Sequence, residues 1–189
     1  MRVIAGKFRS RPLHSLRGMN LRPTADRLRE TLFNVLAAGN LTAFDGKVWL
    51  DLCAGTGAVG IEALSRGAAQ VYFVESSTPA AALIQRNLHS LGLETGFEIL
   101  REEVARALRK LEARAITADF VFLDPPYHME KIYQQTLQLL SRSRLLNPDT
   151  VVVAEHEKRF DPGDGVASLH RYRKLEQGDA TLSFYRKDR

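Results

Sequence analysis

Two aspartates, each near the end of an apolar run, are the positions of this chain best suited to chemistry. Asp51 stands ahead of a glycine-rich loop, and Asp124 stands directly before the sequence Pro-Pro-Tyr. A carboxylate beside a glycine loop can bind a cationic ligand, and an aspartate beside prolines and an aromatic ring can hold a planar amine. The two positions act together only if the fold brings them to one crevice, so the elements that carry them decide what they do.

Short apolar runs alternate with amphipathic stretches from Gly46 onward. Strands are predicted at 47–52, 70–75, 97–100, 119–124 and 150–155. Helices are predicted at 24–38, 58–66, 78–91, 104–113 and 131–140, with Thr78 as an N-cap and Pro79 in the first turn that follows. Apolar strands that alternate with helices indicate a parallel sheet covered on both faces. We therefore expect an α/β fold with a Rossmann-like doubly wound sheet, mostly parallel and finished by an antiparallel hairpin at 168–175 and 181–185.

The loop after the first strand has the pattern Gly-x-Gly-x-x-Gly at Gly55, Gly57 and Gly60, and Glu75 follows 20 residues after Gly55. This spacing matches the dinucleotide-binding fingerprint, in which the backbone approaches a pyrophosphate and an acidic residue binds a ribose. Asp51 favours another ligand, because a carboxylate facing the loop repels a pyrophosphate and attracts an ammonium or sulfonium group. S-adenosylmethionine carries both cations and no phosphate. The sequence thus favours this methyl donor, with a nicotinamide dinucleotide as the alternative.

The same loop predicts the residues that contact the donor. Its methionine part would lie near Asp51, along Cys53, Ala54, Gly55, Thr56 and Gly57. Glu75 would accept from the ribose hydroxyls. We interpret Cys53 as a small residue packed beside the loop, because no base near it in sequence could activate its thiol as a methyl-accepting nucleophile.

The segment Asp124, Pro125, Pro126 and Tyr127 faces the same crevice, because the carboxyl ends of parallel strands line one ligand site. The prolines hold the backbone extended and leave carbonyl groups free to accept. Asp124 and a carbonyl form an acceptor pair for an amino group, and Tyr127 offers a face on which an aromatic ring stacks. With Asp124 as proton acceptor, this pattern predicts methyl transfer to a nucleobase amine without a covalent enzyme intermediate.

The positive charge of the chain is concentrated at its N-terminus. Of the net charge of +5, residues 1–22 carry +6 and residues 23–189 carry −1. The basic residues of this arm are Arg2, Lys7, Arg9, Arg11, Arg17 and Arg22. A cationic arm on a near-neutral body is typical of a protein that binds a polyanion, although a solvated basic tail has the same composition. We expect residues 1–22 to be such an arm and residues 23–189 to form the catalytic domain.

Length, hydropathy and cysteine content exclude several classes of protein. The 189 residues suffice for one domain with a sizeable core. No apolar run reaches the roughly 18–20 residues that span a bilayer, and the N-terminus lacks the apolar core of a signal peptide. The single cysteine cannot form an internal disulfide, and no His, Cys and carboxylate residues have metal-ligand spacing. We expect a cytoplasmic protein without a membrane segment or a metal ion.

These motifs together resemble the class I S-adenosylmethionine-dependent methyltransferases that act on amines of nucleic acid, and within them the RsmD type. The resemblance covers nearly the whole chain, with matching segments at 2–7, 21–34, 51–67, 124–127 and 178–185. The segment 21–34, with its Arg-Pro-Thr, Asp-Arg, Arg-Glu and Phe-Asn pairs, is the most specific part. Asp-Pro-Pro-Tyr alone is shared with DNA and protein methylases.

The resemblance implies an enzyme that methylates the N2 amine of a guanine in small-subunit (16S) ribosomal RNA. Asp51, Gly55 and Gly57 would hold the amino-acid end of the donor, Glu75 its ribose, and residues 124–127 the target base. The adjacent Ser76 is also expected to bind the donor.

Where the family often has Asp or Asn, this chain has Glu103, which would accept from the adenine amine while the N–H of Val104 bonds the ring. Glu103 is longer than the usual aspartate by one methylene group and can still accept a hydrogen bond.

RNA contacts are implied for a set of basic residues, namely Arg2, Lys7, Arg9, Arg11, Arg22 and Arg27. The resemblance implies that Arg22, Thr24 and Arg27 close over the donor or contact phosphate, with capping and salt bridging within the first helix as an equal alternative. The implied partner is ribosomal RNA, within a small subunit or its assembly intermediate, with no obligate protein partner.

Other functions are compatible with parts of this pattern. An adenine-N6 methyltransferase of DNA or RNA shares the amine chemistry, and a protein glutamine methyltransferase more often has Asn where Asp124 stands. A non-catalytic RNA-binding module that retains a ligand pocket is a further alternative. The joint presence of Asp51, Glu75 and Asp124 argues against that last function.

Overall fold

The computed structural model describes residues 1–15, 23–126 and 128–188. Its strands are β1 (Val48–Leu52), β2 (Gln70–Val74), β3 (Phe97–Leu100), β4 (Ala118–Leu123), β5 (Leu146–Glu157), β6 (Gly165–Val166), β7 (Leu169–Gln177) and β8 (Ala180–Lys187). Its helices are α1 (Pro23–Ala37), α2 (Ala58–Ser65), α3 (Thr78–Ser90), α4 (Val104–Ala113) and α5 (Glu130–Arg142).

The strands form one sheet in the order β3-β2-β1-β4-β5-β8-β7-β6. β1 to β5 pair in parallel, and β8, β7 and β6 continue the sheet in antiparallel pairs. This arrangement confirms the predicted mostly parallel α/β sheet with a C-terminal antiparallel hairpin. The strand order reverses between β1 and β4, which is the point where such sheets open a ligand crevice at the carboxyl ends of their strands.

Helices cover both faces of the sheet. α1, α2 and α3 pack on one face around Phe33, Trp49 and Phe122, whereas α4 and α5 pack on the other around Leu50 and Tyr133. Each strand contributes to both cores because its side chains alternate between the faces. The sheet is therefore buried on both sides, which explains why the sequences of its strands are continuous apolar runs.

Three local features differ from the predictions. Ser77 rather than Thr78 caps α3, since its Oγ accepts from the N–H of Ala80 at 3.4 Å and leaves Thr78 inside the first turn. β5 begins at Leu146, which pairs with Ala118 ahead of an irregularity in the register. β6 was not predicted, because a two-residue strand has no periodicity to detect.

The carboxyl edge of the sheet brings four chemically active residues into one row. Leu52 of β1 pairs with Val74 of β2 and with Leu123 of β4, which in turn pairs with Ala154 of β5. The residues that directly follow these four are Glu75, Cys53, Asp124 and Glu155, in that order across the sheet. The fold thus assembles residues from four separate segments at the switch point.

Residues 1–15 fold back onto the body. Val3 and Leu13 are buried in the core with α1 and α2, and Arg2 pairs with Pro12 in an antiparallel bridge. The N–H groups of Ile4 and Ala5 donate to the two oxygens of the buried Glu62 carboxylate, at 2.8 and 2.9 Å. The division at residue 22 stays a prediction, since that position lies outside the described residues.

No helix within the described ranges has the length and apolar composition to cross a membrane. Across the same ranges, no group of three or more His, Cys, Asp and Glu side chains is arranged to hold a metal ion.

Candidate active site

Asp51 is buried beneath the first turn of α2. It is 2% exposed, and its Oδ2 accepts from the N–H of Gly60 at 2.9 Å. Because Gly57 at the start of α2 offers no side-chain cap, Asp51 supplies the acceptor and the negative charge that a helix N-terminus favours. Burial raises the pKa of Asp51 to about 7 against the opposing Gly60 hydrogen bond, and the charge of Glu75 adds to the rise. Asp51 is therefore a carboxylate that a cationic ligand would stabilise.

Glu75 holds the glycine loop. The N–H of Gly55 donates to its Oε2 at 2.9 Å, and the N–H of Ser77 donates to its Oε1 at 2.8 Å. A carboxylate accepts about four hydrogen bonds, so Glu75 retains acceptor capacity for a ligand. Gly55 has a φ of 55°, and a Cβ built on it meets no atom within 4 Å, so the loop is open on that side.

Gly60 is required for packing rather than for contact with a ligand. A Cβ at this position would lie 2.3 Å from Cε1 of Phe73 on β2. The glycine therefore lets α2 approach the sheet closely, and this approach brings its N–H to Asp51. Gly55 and Gly60 thus have different functions, since Gly55 borders open space and Gly60 borders the core.

Cys53 lies at the centre of the anionic crevice in a left-handed backbone conformation, with a φ of 61°. Burial raises the pKa of its thiol to about 12, and the charges of four carboxylates add to the rise, those of Glu75, Asp124, Asp51 and Glu103. The thiol stays protonated at neutral pH, which argues against a nucleophilic role. All four carboxylates are close enough to Cys53 to act on its thiol. The residues predicted to bind the donor and the predicted proton acceptor Asp124 therefore lie around Cys53.

Asp124 directly follows β4, and the strand register places it beside Glu155 of β5. Its backbone N–H donates to the carbonyl of Leu52 at 3.2 Å, which ties the end of β4 to β1. Burial, followed by the negative charges of Glu155 and Asp51, raises the pKa of Asp124 well above its usual value. Glu155 was not predicted as a site residue, although it directly follows the apolar run 151–154 as Asp124 follows the run 120–123, because no Pro-Pro-Tyr sequence marks it.

The two prolines that follow Asp124 differ in their surroundings. Pro125 is buried, and its carbonyl lies 3.3 Å from the hydroxyl of Tyr133 on α5. Pro126 is exposed, and its carbonyl accepts from the N–H of Met129 at 2.8 Å. The expectation that both carbonyls are free is therefore wrong for Pro126. Pro125 retains a second lone pair, and Tyr127 lies outside the described residues.

The N-terminus of α4 borders the crevice on the side of β3. Glu103 is exposed at the N-cap position, where its side chain makes no capping hydrogen bond within the described residues. The N–H of Val104 belongs to the first helical turn, where no intrahelical acceptor is available. Ser76 is exposed between β2 and α3. The predicted adenine-binding residues thus lie at the rim.

The N-terminal segment lies along α2. The N–H of Lys7 donates to the carbonyl of Ser65 at the C-terminal end of α2, at 2.7 Å. At the other end, the side chain of Asn87 on α3 joins the segment to the glycine loop, since its amide bonds the backbone of His14 and also donates to the carbonyl of Thr56 at 3.0 Å. Within residues 1–15, the four basic side chains Arg2, Lys7, Arg9 and Arg11 are exposed, and the described structure gives none of them a carboxylate partner. Arg27 is exposed on α1. Arg17, Arg22 and the side chain of Thr24 lie outside the described residues.

The sequence matches the family described as Conserved hypothetical protein 95, over residues 1–186. The matched range includes the N-terminal segment, the glycine loop, Asp124 and the C-terminal hairpin.

Two curated proteins are similar over most of their length. "Putative rRNA methyltransferase YlbH" of Bacillus subtilis (strain 168) is 35% identical over 187 residues, which cover 99% of each chain. "Ribosomal RNA small subunit methyltransferase D" of Haemophilus influenzae is 36% identical over 159 residues, covering 84% of this chain and 79% of that protein. Among solved structures, "Putative methyltransferase yhhF from Escherichia coli" has a TM-score of 0.80 and 29% identity, with 100% of this chain and 98% of that chain covered.

Proposed function

The chain belongs to the Conserved hypothetical protein 95 family, and from this premise we propose that it transfers a methyl group from S-adenosylmethionine to the exocyclic N2 amine of a guanine in small-subunit ribosomal RNA. The relatives' names supply the RNA class and the reaction type. The strand-end carboxylates and the glycine loop support the choice of donor and of target group.

The residues at the glycine loop fit the donor. The ammonium group of its methionine part and its sulfonium carry positive charge, and Asp51 is a buried carboxylate whose surroundings in the described residues contain no basic side chain to offset it. The open space over Gly55 leaves the loop accessible. A pyrophosphate would meet several carboxylates here, which is repulsive. Charge therefore favours the methyl donor over a dinucleotide.

Each part of the donor has a matching group on the chain. Asp51 and the backbone of residues 54–57 hold the methionine part, and the remaining lone pairs of Glu75 accept from the ribose hydroxyls. Glu103 accepts from the adenine amine, and the N–H of Val104 is available to the adenine ring. When bound, the donor supplies a methyl group on a positively charged sulfur.

Asp124 and the Pro125 carbonyl hold the target amine. Together they accept its two hydrogens and fix the nitrogen so that its lone pair faces the methyl group. The nitrogen becomes positively charged as it gains the methyl carbon, and Asp124 stabilises this charge and accepts one proton. Its raised pKa suits this function, since a stronger proton acceptor takes the proton more readily.

The N-terminal segment supplies the RNA contact. Its unpaired cations, Arg2, Lys7, Arg9 and Arg11, contact phosphates without reading sequence. The target guanine leaves its stack to reach Asp124, which costs least in a single-stranded or splayed loop.

The observation that carries this proposal is the row of Glu75, Cys53, Asp124 and Glu155 at the switch point. It supports a donor site and an amine site side by side in one crevice that is lined by carboxyl groups.

The test is incubation of the protein with methyl-labelled S-adenosylmethionine and, separately, small ribosomal subunits, naked ribosomal RNA, DNA and protein. Digestion to nucleosides and mass spectrometry identify the modified atom. We expect N2-methylguanosine from the ribosomal substrates. N6-methyladenosine, methylated protein or no label in any substrate would contradict the proposal.

A matched pair of variants links this activity to Asp124. Asp124→Asn keeps the side-chain shape but removes the proton acceptor, so transfer should fall by at least about 100-fold while donor affinity changes little. Asp149→Asn alters an exposed aspartate near the amino end of β5, far from the crevice, and should leave both unchanged. Unimpaired turnover by Asp124→Asn would remove Asp124 from the mechanism.

A further inference from the structure

One acidic side chain of the crevice, that of Glu155, is assigned no contact with the donor or the target amine in the function proposed above. Glu155 follows the apolar run 151–154 of β5 in the same way that Asp124 follows the run 120–123 of β4. We propose that Glu155 acts through Asp124 as a positioning residue, its negative charge keeping Asp124 a strong proton acceptor for the target amine. The inference rests on the proposed function, since that function makes Asp124 the acceptor.

The strand register places the two residues side by side. β4 and β5 pair without interruption from Phe120 with Val151 to Leu123 with Ala154. Parallel strands lie about 4.8 Å apart, so the next pair in this register are close neighbours. Alternation directs both side chains to the face of the sheet on which Phe122 and Val153 pack, which is the face of the glycine loop.

A buried hydroxyl fixes the ends of the two strands relative to each other. Tyr133 of α5 is fully buried, and its Oη lies 2.8 Å from the carbonyl oxygen of Glu155 and 3.3 Å from that of Pro125. Its hydroxyl can donate to either carbonyl. The backbone of Glu155 is thus held against the segment that carries Asp124 and the amine-binding carbonyl.

Among the described residues, the charged and titratable groups that act on Asp124 are acidic. Glu155 faces it from β5 and Asp51 from β1, while the thiol of Cys53 lies between Asp124 and the donor residues. Burial raises the pKa of Asp124, and the charge of Glu155 is the larger of the two charge effects that add to the rise. Two neighbouring carboxylates share a proton more readily than either holds it alone.

This arrangement matters at the moment when the amine loses its proton. The nitrogen that has gained a methyl group breaks one N–H bond, and the proton forms an O–H bond with Asp124. The driving force for this transfer rises with the proton affinity of the acceptor, provided that the acceptor is ionised at the working pH. Removing the charge of Glu155 lowers that affinity. Asp124 then stays ionised at lower pH but accepts the proton less well.

The first test uses ligand-free protein labelled with carbon-13 at the Asp and Glu carboxyl groups, and NMR titration of those groups. Asp124→Asn assigns the Asp124 signal. In Glu155→Gln we expect the Asp124 midpoint to fall by at least about one pH unit. The control, Glu157→Gln, alters an exposed glutamate on the same strand and should leave the midpoint unchanged. An unchanged midpoint in Glu155→Gln overturns the inference.

Two further measurements cover the case in which Glu155→Gln does not fold. Wild-type protein should show coupled two-step titration curves for Asp124 and Glu155, and Glu155→Asp, which keeps the charge, should retain a raised Asp124 midpoint. Independent one-step curves in wild type would overturn the inference.

The second test is the pH dependence of methyl transfer. In Glu155→Gln the acid limb of kcat should move to lower pH and the plateau should fall several-fold, with KM for RNA unchanged. If the pH profile of Glu155→Gln matches that of wild type, the inference about Glu155 is contradicted and the proposed function is not. If wild-type protein methylates no RNA, the proposed function fails instead, and the NMR titration still decides the pairing.

Discussion

The backbone N–H of Gly55 donates to Oε2 of Glu75 at 2.9 Å, which joins the loop after β1 to the carboxyl end of β2. The contact spans 20 residues of sequence, which is the spacing that made Glu75 a candidate ribose acceptor. One carboxylate therefore shapes the donor loop and borders the donor site. A change at Glu75 should affect both.

Glu75→Gln should weaken donor binding more than the loss of one ligand contact would. The amide replaces a charged acceptor of the Gly55 N–H with a neutral one, and charge-assisted hydrogen bonds contribute about 1.5–3 kcal/mol each. We expect a loss of about 10-fold to 100-fold in affinity for S-adenosylmethionine by isothermal titration calorimetry. Glu94→Gln, at an exposed position after α3, serves as the control and should bind normally. Equal affinities of Glu75→Gln and wild type would remove Glu75 from the site.

Asp51→Asn should stabilise the protein above neutral pH and impair its function. The folded-state pKa of Asp51, about 7, lies above that of an exposed aspartate, so the folded protein binds more protons than the unfolded chain between about pH 4 and 7. The contribution of Asp51 to stability therefore falls as pH rises through this window, by up to about 4 kcal/mol at pH 8. The asparagine carries no charge to bury.

Urea unfolding of wild type and Asp51→Asn at pH 4, 5, 6, 7 and 8 measures this effect. The stability advantage of the variant should widen up to about pH 7 and level off above it. Donor affinity of the variant should be lower throughout. A pH-independent difference in stability would show that Asp51 is not a buried carboxylate with a raised pKa.

Neutralising the cations of the N-terminal segment should weaken RNA binding and its dependence on salt. Deleting the segment is a poor experiment, because it also removes Val3 and Leu13 from the core and leaves Glu62 without two backbone donors. Lys7→Gln and Arg9→Gln avoid this, since both side chains are exposed. Each should reduce the slope of log K against log salt by about 0.7–0.9 if it contacts a phosphate.

Arg109→Gln is the control for these charge changes. Arg109 is exposed on α4, which packs on the face of the sheet opposite the N-terminal segment. Its loss should leave the salt slope unchanged. If Arg109→Gln lowers the slope as much as Lys7→Gln and Arg9→Gln do, the N-terminal segment is not the RNA contact.

Gly60→Ala should destabilise the fold through a steric conflict with Phe73. The added Cβ would lie 2.3 Å from Cε1 of that ring, and overpacking of this kind costs about 1–3 kcal/mol. We expect Tm to fall by about 2–4 °C for each kcal/mol, with weaker donor binding because α2 moves away from Asp51. The double variant Gly60→Ala/Phe73→Leu should recover part of the loss. Strict additivity of the two changes would argue against the conflict.

The sheet and its crevice could be predicted because the local signals were strong. Apolar runs of four to six residues between helices gave a parallel sheet, and the rule that such strands end at one edge placed Asp51 and Asp124 together. The separate functions of Gly55 and Gly60 could not be predicted. Both fit the same pattern, and only the position of Phe73 distinguishes them.

The N-terminal segment and Glu155 show what depends on tertiary contacts. The charge of residues 1–22 predicts a basic arm, but the partners of its backbone, Glu62 and Asn87, lie more than 50 residues away in sequence. Glu155 gains its significance from the register between β4 and β5, which a single sequence does not specify. The sequence shows that these residues are basic or acidic. Their burial and their neighbours depend on contacts between residues that are far apart in the sequence.

The central claim is that this crevice holds a positively charged methyl donor and not a pyrophosphate. Titration calorimetry of purified protein with S-adenosylmethionine, and in parallel with NADH, tests it most directly. We expect saturable binding of S-adenosylmethionine at one site, tighter as the pH rises through 7 and Asp51 ionises, and no measurable heat with NADH. Tight binding of NADH with no response to S-adenosylmethionine would contradict the account.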